Sequence, residues 1–140
     1  MANVIFNDLK ESLLRARINF ASDTIKVMLT TSSYTPDQDA HDMIDDVTNE
    51  VTGTGYTAGG ATLANKSVTQ DNTNNLAYFD ADDVVWSSST ITARYAVIYK
   101  DTGTPSTSNL IAVIDFGSDQ ISSSGNFTIQ WSANGILRVL

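Results

Sequence analysis

The 140-residue sequence contains no cysteine, so neither disulfide bonds nor thiolate chemistry can contribute to its stability or function. His41 is its single histidine, which excludes metal sites built on paired histidines and leaves one candidate base for a serine nucleophile. No serine lies in a Gly-x-Ser-x-Gly motif, the turn that presents the nucleophile in one large class of hydrolases. We therefore expect a protein that is not an enzyme and has no catalytic centre, no cofactor and no metal.

Basic residues are also scarce: eight lysines and arginines stand against sixteen aspartates and glutamates, a formal net charge of −8. An acidic chain lacks the positive field that general nucleic-acid binding needs. No charged and apolar leader opens the chain, and no apolar run approaches membrane-spanning length, so we expect neither standard export nor a membrane partner. Residues 1–26 hold four basic and three acidic residues, so this segment is either an ordinary surface helix or a part that docks onto a partner.

Two apolar segments dominate the chain, residues 93–99 and 110–116, with the polar loop 101–109 between them. Both have strand length and are rich in β-branched and aromatic residues. Both also carry apolar residues on their two faces, which is typical of strands at the centre of a sheet. They predict a central hairpin. Together with the alternating apolar residues of 127–131, they give the following expected core: Tyr95, Val97, Ile98, Val113, Ile114, Phe127, Ile129 and Trp131.

The remaining patterns predict short strands joined by Gly, Asn and Ser turns. Ile5, Leu9 and Leu13 recur at helical spacing, and 1–17 is therefore a possible helical arm. Strands are expected at 18–20, 24–30, 61–70, 76–79, 83–86 and 127–131, and Asn134-Gly135 favours a hairpin back into 136–140. Residues 118–126 are expected to be loop. The fold class is all-β, an antiparallel β-sandwich or barrel of seven to eight strands, with a short N-terminal helix and long loops in one domain, 1–140.

Three stretches could carry chemistry, and each also has a simpler interpretation. The aspartates of residues 37–46 could bind calcium, but His41 takes the third alternating ligand position and no glutamate closes the loop, which favours a solvated acidic loop. The glycines of 53–60 lack the Gly-Lys-Ser/Thr ending of a phosphate-binding loop, which favours a glycine-rich turn or flexible contact loop. The following aromatics could stack on a sugar, but their strand positions favour the core: Trp86, Tyr95, Tyr99 and Trp131.

Four segments resemble a group of small tailed-bacteriophage virion proteins: TIKVMLTTSSYTP at 24–36, EVTGTGYTAGG at 50–60, ITARYAVIYK at 91–100 and LIAVIDFG at 110–117. The resemblance extends over roughly residues 18–139 and contains no catalytic motif. It implies a structural component of the virion, assembled in the host cytoplasm. The role it favours is a capsid decoration (cement) protein whose partner is the major capsid protein or another virion protein, as a monomer or a homo-oligomer.

Two other classes remain open. One is a tail, connector or fibre component of the same virion, and the other is a carbohydrate-binding β-sandwich, which requires exposed Trp or Tyr on one face. In either virion role we expect contacts through the N-terminal segment and the excursions 31–60 and 101–109, because long loops with few large apolar groups are often functional. The candidate contact residues are Phe6, Leu9, Lys10, Leu13, Arg15, Arg17, Tyr34, Gly53, Gly55, Tyr56, Gly59 and Gly60.

Overall fold

Eight strands and one α-helix form the part of the chain described by the structure, a computed structural model of residues 3–140; the first two residues of the possible arm lie outside that range. The elements are β1 (Val4–Ile5), α1 (Asn7–Leu14), β2 (Ile25–Thr30), β3 (Ala61–Thr62), β4 (Ser67–Asp71), β5 (Leu76–Asp80), β6 (Val84–Lys100), β7 (Leu110–Ile129) and β8 (Leu137–Val139). The prediction of an all-β chain with a short N-terminal helix is confirmed.

The strands form two antiparallel sheets. The larger has the order β1-β7-β6-β2-β3 and the smaller has the order β4-β5-β8. The predicted central hairpin is confirmed: β6 and β7 lie next to each other and pair from Tyr99↔Leu110 to Val84↔Ile129. Near the loop that joins them, each strand also has a second neighbour: β2 pairs with β6 and β1 pairs with β7. Both are therefore central strands of the sheet there.

The hairpin is longer than predicted, since residues 118–126 belong to β7 and are not a loop. This stretch is rich in serine and includes a glycine and an asparagine, a composition that is not typical of strands. Pairing is achieved with several register shifts along the two strands and with a buried polar contact, in which the hydroxyl oxygens of Ser89 and Ser122 lie 2.8 Å apart. Ser89 Oγ also donates to the carbonyl of Trp86 at 2.9 Å. The polar strand is stable here because its buried hydroxyls have partners.

Two local predictions are wrong. The turn at Asn134-Gly135 does not return the chain along β7; it delivers β8 to β5, where Leu137 pairs with Phe79 and is buried. Residues 18–20 are not a strand, because the amide of Asn19 donates to the Asp23 carboxylate at 2.8 Å and closes a turn there. In the first place a contact distant in sequence decides the outcome, and in the second a hydrogen bond across four residues does.

Apolar side chains cover both faces of the larger sheet. One face packs against the smaller sheet and buries, among others, Val27, Ile98 and Ile111 with Phe79 and Leu137. The opposite face buries a second cluster, which consists of Phe6, Met28, Tyr34, Ile44, Tyr95, Val97, Tyr99, Leu110 and Val113. Of the eight residues predicted for the core, Ile114 and Trp131 are only half-buried and the other six are buried.

The first part of the long excursion covers this second face. Tyr34 and Ile44 are buried in the second cluster, and Ile44 lies within a short 3-10 helix, Ile44–Asp46. Val51 is buried in the first cluster, on the other face. The amide of Val51 donates to the carbonyl of Leu29 at 2.9 Å, which fixes the end of the excursion to β2. Three buried side chains are therefore enough to make these residues part of the domain's own packing, although the excursion has few large apolar groups.

Candidate interaction surface

The N-terminal segment is built into the domain. β1 pairs with β7 through Val4↔Val113 and Ile5↔Ala112, and Phe6 and Leu9 are both buried. The helical stripe seen in the sequence is present, but its covering surface is the chain itself. The expectation that Phe6 and Leu9 contact a partner is therefore corrected: within this structure neither side chain reaches the surface. Buried Tyr34 is corrected in the same way.

A buried carboxylate holds α1 in place. Asp8 accepts hydrogen bonds from the side-chain amide of Asn109 at 2.9 Å and from the hydroxyl of Ser12 at 3.3 Å, and a guanidinium nitrogen of Arg17 lies 4.0 Å from it. Asn109 stands at the end of the loop that joins β6 to β7. A buried charge is tolerated where hydrogen bonds and an ion pair satisfy it, so this network orients α1 on the end of the central hairpin.

The exposed surface at α1, which we name the helix outer face, consists of Lys10, Leu13 and Leu14 together with Arg17. The spacing of three and four residues places Lys10, Leu13 and Leu14 together on the helix. Arg17 follows the end of the helix and lies beside it through its ion pairs with Asp8 and Glu11. Leu14 is 90% exposed and Leu13 38% exposed, so an apolar pair is presented to solvent from a helix whose other side is fixed.

The basic groups near this face are partly neutralised by the chain's own carboxylates. Arg15 lies 2.6 Å from Glu11 and Arg17 lies 3.5 Å from the same carboxylate. Lys10 donates to the side-chain oxygen of Asn7 at 2.9 Å. The face is therefore mildly basic and apolar, and Leu14 is its most exposed apolar side chain.

The glycine-rich segment is packed against the domain's own strands. A side chain at Gly53 would place its Cβ 2.3 Å from the carbonyl oxygen of Thr90, and one at Gly55 would lie 2.8 Å from the Cα of Ser89. Half-buried Tyr56 accepts from the amide of Leu29 at 3.0 Å and donates to Glu50 at 2.8 Å, and burial raises its pKa well above the ordinary tyrosine range. Close packing explains these glycines better than flexibility does.

Gly59 and Gly60 continue this packing towards β2 and β6. The hydroxyl of Tyr99 donates to the carbonyl of Gly59 at 2.7 Å, and the backbone of Gly60 lies against Val27. Of the candidate contact residues in this segment, Gly53 and Gly55 are exposed while Tyr56, Gly59 and Gly60 are half-buried. The surface they could offer to a partner is therefore a rigid one.

The acidic loop uses its carboxylates to form turns. Asp37 accepts from the amides of Asp39 and Ala40, both at 3.0 Å, and Asp46 accepts from those of Asp42 and Met43 at 2.9 and 3.1 Å. These hydrogen bonds lower the pKa of Asp37 and of Asp46. Within residues 3–140, no three histidine or carboxylate groups are arranged to hold a metal ion.

The single histidine makes its contacts inside the same loop. The Nδ1 atom of His41 lies 3.0 Å from the hydroxyl of Tyr34 and accepts from the amide of Asp37 at 3.3 Å. Neither contact is the serine that a nucleophilic mechanism would need at this nitrogen. The absence of catalysis remains a prediction, and His41 has a turn-forming role that accounts for its position.

The aromatic side chains do not form a sugar-stacking platform. Trp86, Tyr95 and Tyr99 are buried, as their strand positions predicted. Trp131 is half-buried and its indole nitrogen donates to the carbonyl of Asp82 at 2.9 Å. The exposed aromatic surface on which the carbohydrate-binding alternative depended is absent at these four positions.

An open groove lies where no candidate residue was predicted. It has a volume of about 1050 Å³ and runs between β7 and the segment that leads to β8. Its apolar lining includes Ile5, Ile114, Phe116, Ile121, Trp131 and Ile136. Sheet pairing alone brings these distant residues together, so no local sequence pattern could have predicted the groove.

Arg94 and Asp115 form the best-aligned ion pair on the larger sheet. The Nε and Nη2 atoms of Arg94 donate to the two carboxylate oxygens at 2.6 and 3.3 Å, which holds the pKa of Asp115 far below its ordinary value. A carboxylate whose pKa is lower in the folded chain stabilises the fold above its unfolded pKa of about 4, and this stabilisation is lost as the pH falls towards the folded pKa.

Replacing this arginine should therefore have a pH-dependent effect. Arg94→Gln raises the pKa of Asp115 towards its ordinary value, so we expect the variant to be less stable than the parent at pH 7 and the difference to shrink below about pH 4. Urea unfolding at several pH values measures this difference. Arg15→Gln, which breaks an exposed pair with Glu11, is the control and should change stability by less than about 1 kcal/mol. A deficit in Arg94→Gln that persists unchanged in acid would contradict the ion-pair explanation.

No helix in the described range is long and apolar enough to cross a membrane. Comparison of the chain with protein-family models, with curated proteins and with solved structures finds no match.

Proposed function

We propose that this protein is a non-enzymatic structural component of a tailed-phage virion that binds and stabilises the capsid shell as a decoration (cement) protein. The resemblance of four segments to small virion proteins motivates the proposal. Three of them contain β2, the second half of β6 and the start of β7, which are adjacent strands of the larger sheet. The fourth, residues 50–60, packs against Thr90 and Val27 on the same strands. The resemblance therefore concerns one spatially continuous unit.

The observation that carries the proposed contact is the exposure of Leu14 on a helix that is otherwise fixed to the domain. An exposed leucine gains roughly 1.5–3 kcal/mol when a partner buries it. Because Asp8 and Asn109 hold α1 in place, little additional ordering is needed on binding, which favours affinity. Lys10 and Arg17 on the same face favour an acidic partner surface. We therefore assign the shell contact to the helix outer face.

The test is a charge placed at the centre of this face. We expect Leu14→Asp to weaken binding to particles of the encoding phage about 30-fold or more, since the lost burial of roughly 2 kcal/mol corresponds to that factor. Leu140→Asp is the matched control, because Leu140 is 93% exposed at the other end of the chain. Co-sedimentation with undecorated particles measures the affinity. Normal binding by Leu14→Asp, or equal weakening by both variants, would remove the helix outer face from the contact.

A tail, connector or fibre component is the second candidate, because such proteins also use antiparallel β-domains to join larger subunits. The two roles differ in position on the particle. Electron microscopy of virions labelled at the chain terminus should show label distributed over the shell for a decoration protein. Label confined to the tail or to a single vertex would instead establish the second role.

A further inference from the structure

Within residues 3–140, one edge of β7 has no neighbouring strand over most of its length. The strand runs from Leu110 to Ile129 and pairs with β6 along one side. On its other side, the described residues provide only β1, which reaches Val113 and Ala112. Residues 120–129, which we name the open edge, are about 33 Å long at the usual rise of a strand. Their outward main-chain groups form a ready template for another strand.

The open edge lacks most of the features that normally prevent such pairing. Proteins protect exposed edges with charged side chains, proline, very short strands or β-bulges. Of these, the open edge has only irregular register: its pairing with β6 shifts between Ser122 and Gly125 and between Gly125 and Phe127. The 18 residues from Gln120 to Leu137 contain no charged residue and no proline, and they are the longest uncharged stretch of this chain. The other edges differ: β4 ends in Asp71 and follows Lys66, whereas β8 has three residues and includes Arg138.

The surroundings of the open edge are also suited to being covered. Ile121 is 71% exposed in the middle of it, whereas the neighbouring Ser122 is buried, as alternation along a strand requires. The open groove of about 1050 Å³ runs beside it and includes Ile121 in its lining. A strand added to β7 would cover this isoleucine and close one side of the groove.

The charge distribution identifies the occupant as a second copy of the chain. Two molecules that each carry a net charge of −8 repel one another across most pairs of surfaces, and an uncharged edge is where that repulsion is least. A cationic peptide, in contrast, would find no carboxylate between Gln120 and Ile129. An edge strand is also complementary to itself in the antiparallel orientation, as a twofold interface requires.

We propose that the open edge pairs antiparallel with the same residues of a second copy, which joins the two larger sheets into one continuous sheet. This interaction uses β7 and leaves the helix outer face free in both copies. It is therefore independent of the proposed virion role: the dimer forms in solution with no particle present.

The first test is the mass of the purified chain in solution. Sedimentation equilibrium from about 5 to about 500 µM should show the apparent mass rising with concentration from 15.1 kDa towards twice that value. Hydrogen exchange over the same range should show protection of the amides of 120–129 that increases with concentration. A chain that stays monomeric throughout overturns the proposal, including the case in which these amides become protected only on capsid particles, which would assign the edge to the shell.

Paired charge variants then locate the interface. The doubly substituted chains I121K/S123K and I121D/S123D should each be monomeric, because like charges meet across the twofold axis, while an equimolar mixture should regain the dimer. Val68→Lys on the edge strand β4, where Val68 is 55% exposed, is the control and should dimerise as the parent does. Far-UV circular dichroism and melting temperature confirm that each variant is folded. Dimerisation of the single-sign variants, or a mixture that stays monomeric, would place the interface elsewhere.

Discussion

Gly60→Ala is expected to destabilise the protein by about 4 kcal/mol or more, which lies at the extreme of single substitutions. A Cβ at this position would lie 1.8 Å from the carbonyl oxygen of Val27 and 2.8 Å from the Cα of Met28. Both are backbone atoms of β2, which pairs with β6 on one side and β3 on the other. Since neither β2 nor Gly60 can move without breaking that pairing, the clash cannot be relieved locally. Urea unfolding followed by circular dichroism measures the loss.

Gly103→Ala is the matched control for backbone conformation. Gly60 and Gly103 have nearly the same left-handed φ, +82° and +84°, but a Cβ at Gly103 would meet nothing within 4 Å. The control should therefore lose only the conformational cost of about 1 kcal/mol. Equal losses in the two variants would show that φ alone requires glycine at residue 60. If Gly60→Ala were as stable as the parent but bound particles more weakly, the result would support the interpretation of residues 53–60 as a flexible contact loop.

The central hairpin could be predicted because its signals are local. Residues 93–99 and 110–116 carry β-branched and aromatic residues on both faces, and the loop between them contains turn-forming residues. These features require no knowledge of the rest of the chain. The signals for β2 and α1 are local too: apolar residues alternate along β2 and recur at helical spacing along α1.

Two of the errors lie where partners distant in sequence decide the structure. The sequence predicts the turn at Asn134-Gly135, but only the burial of Leu137 against Phe79 determines that β8 joins the smaller sheet. The polar composition of residues 118–126 predicts a loop, although the buried hydroxyl contact between Ser89 and Ser122 supports a strand. Local composition contains neither piece of information.

The candidate contact residues show the same limit. An apolar stripe such as Phe6 and Leu9 indicates that some surface covers it, but it does not indicate whether that surface belongs to the same chain. Glycines at 53 and 55 indicate that there is no room for a side chain. They do not indicate whether the space is taken by Thr90 and Ser89 of β6 or by a partner. The structure answers both questions in favour of the chain itself, and it leaves Leu14 as the most exposed apolar side chain of α1.

Phe6→Ala should distinguish an integral N-terminal segment from a detachable arm. Phe6 is 0% exposed within the cluster that also holds Met28, Val97 and Val113, and its amide donates to the carbonyl of Ile111 at 3.2 Å. We expect its truncation to cost about 3–5 kcal/mol, the range for a buried phenylalanine, and the loss to be present in the free protein. Chemical denaturation of the free protein provides the measurement.

Leu14→Ala is the control for Phe6→Ala and should give the opposite result in each assay. Because Leu14 is 90% exposed, its truncation should change the stability of the free chain by no more than about 0.5 kcal/mol. The same truncation should weaken particle binding, whereas Phe6→Ala at a temperature where it remains folded should bind normally, because its side chain faces inward. If Phe6→Ala instead retained full stability and lost binding, the first residues would form an arm that the shell covers. Phe6, and not only Leu14, would then belong to the contact surface.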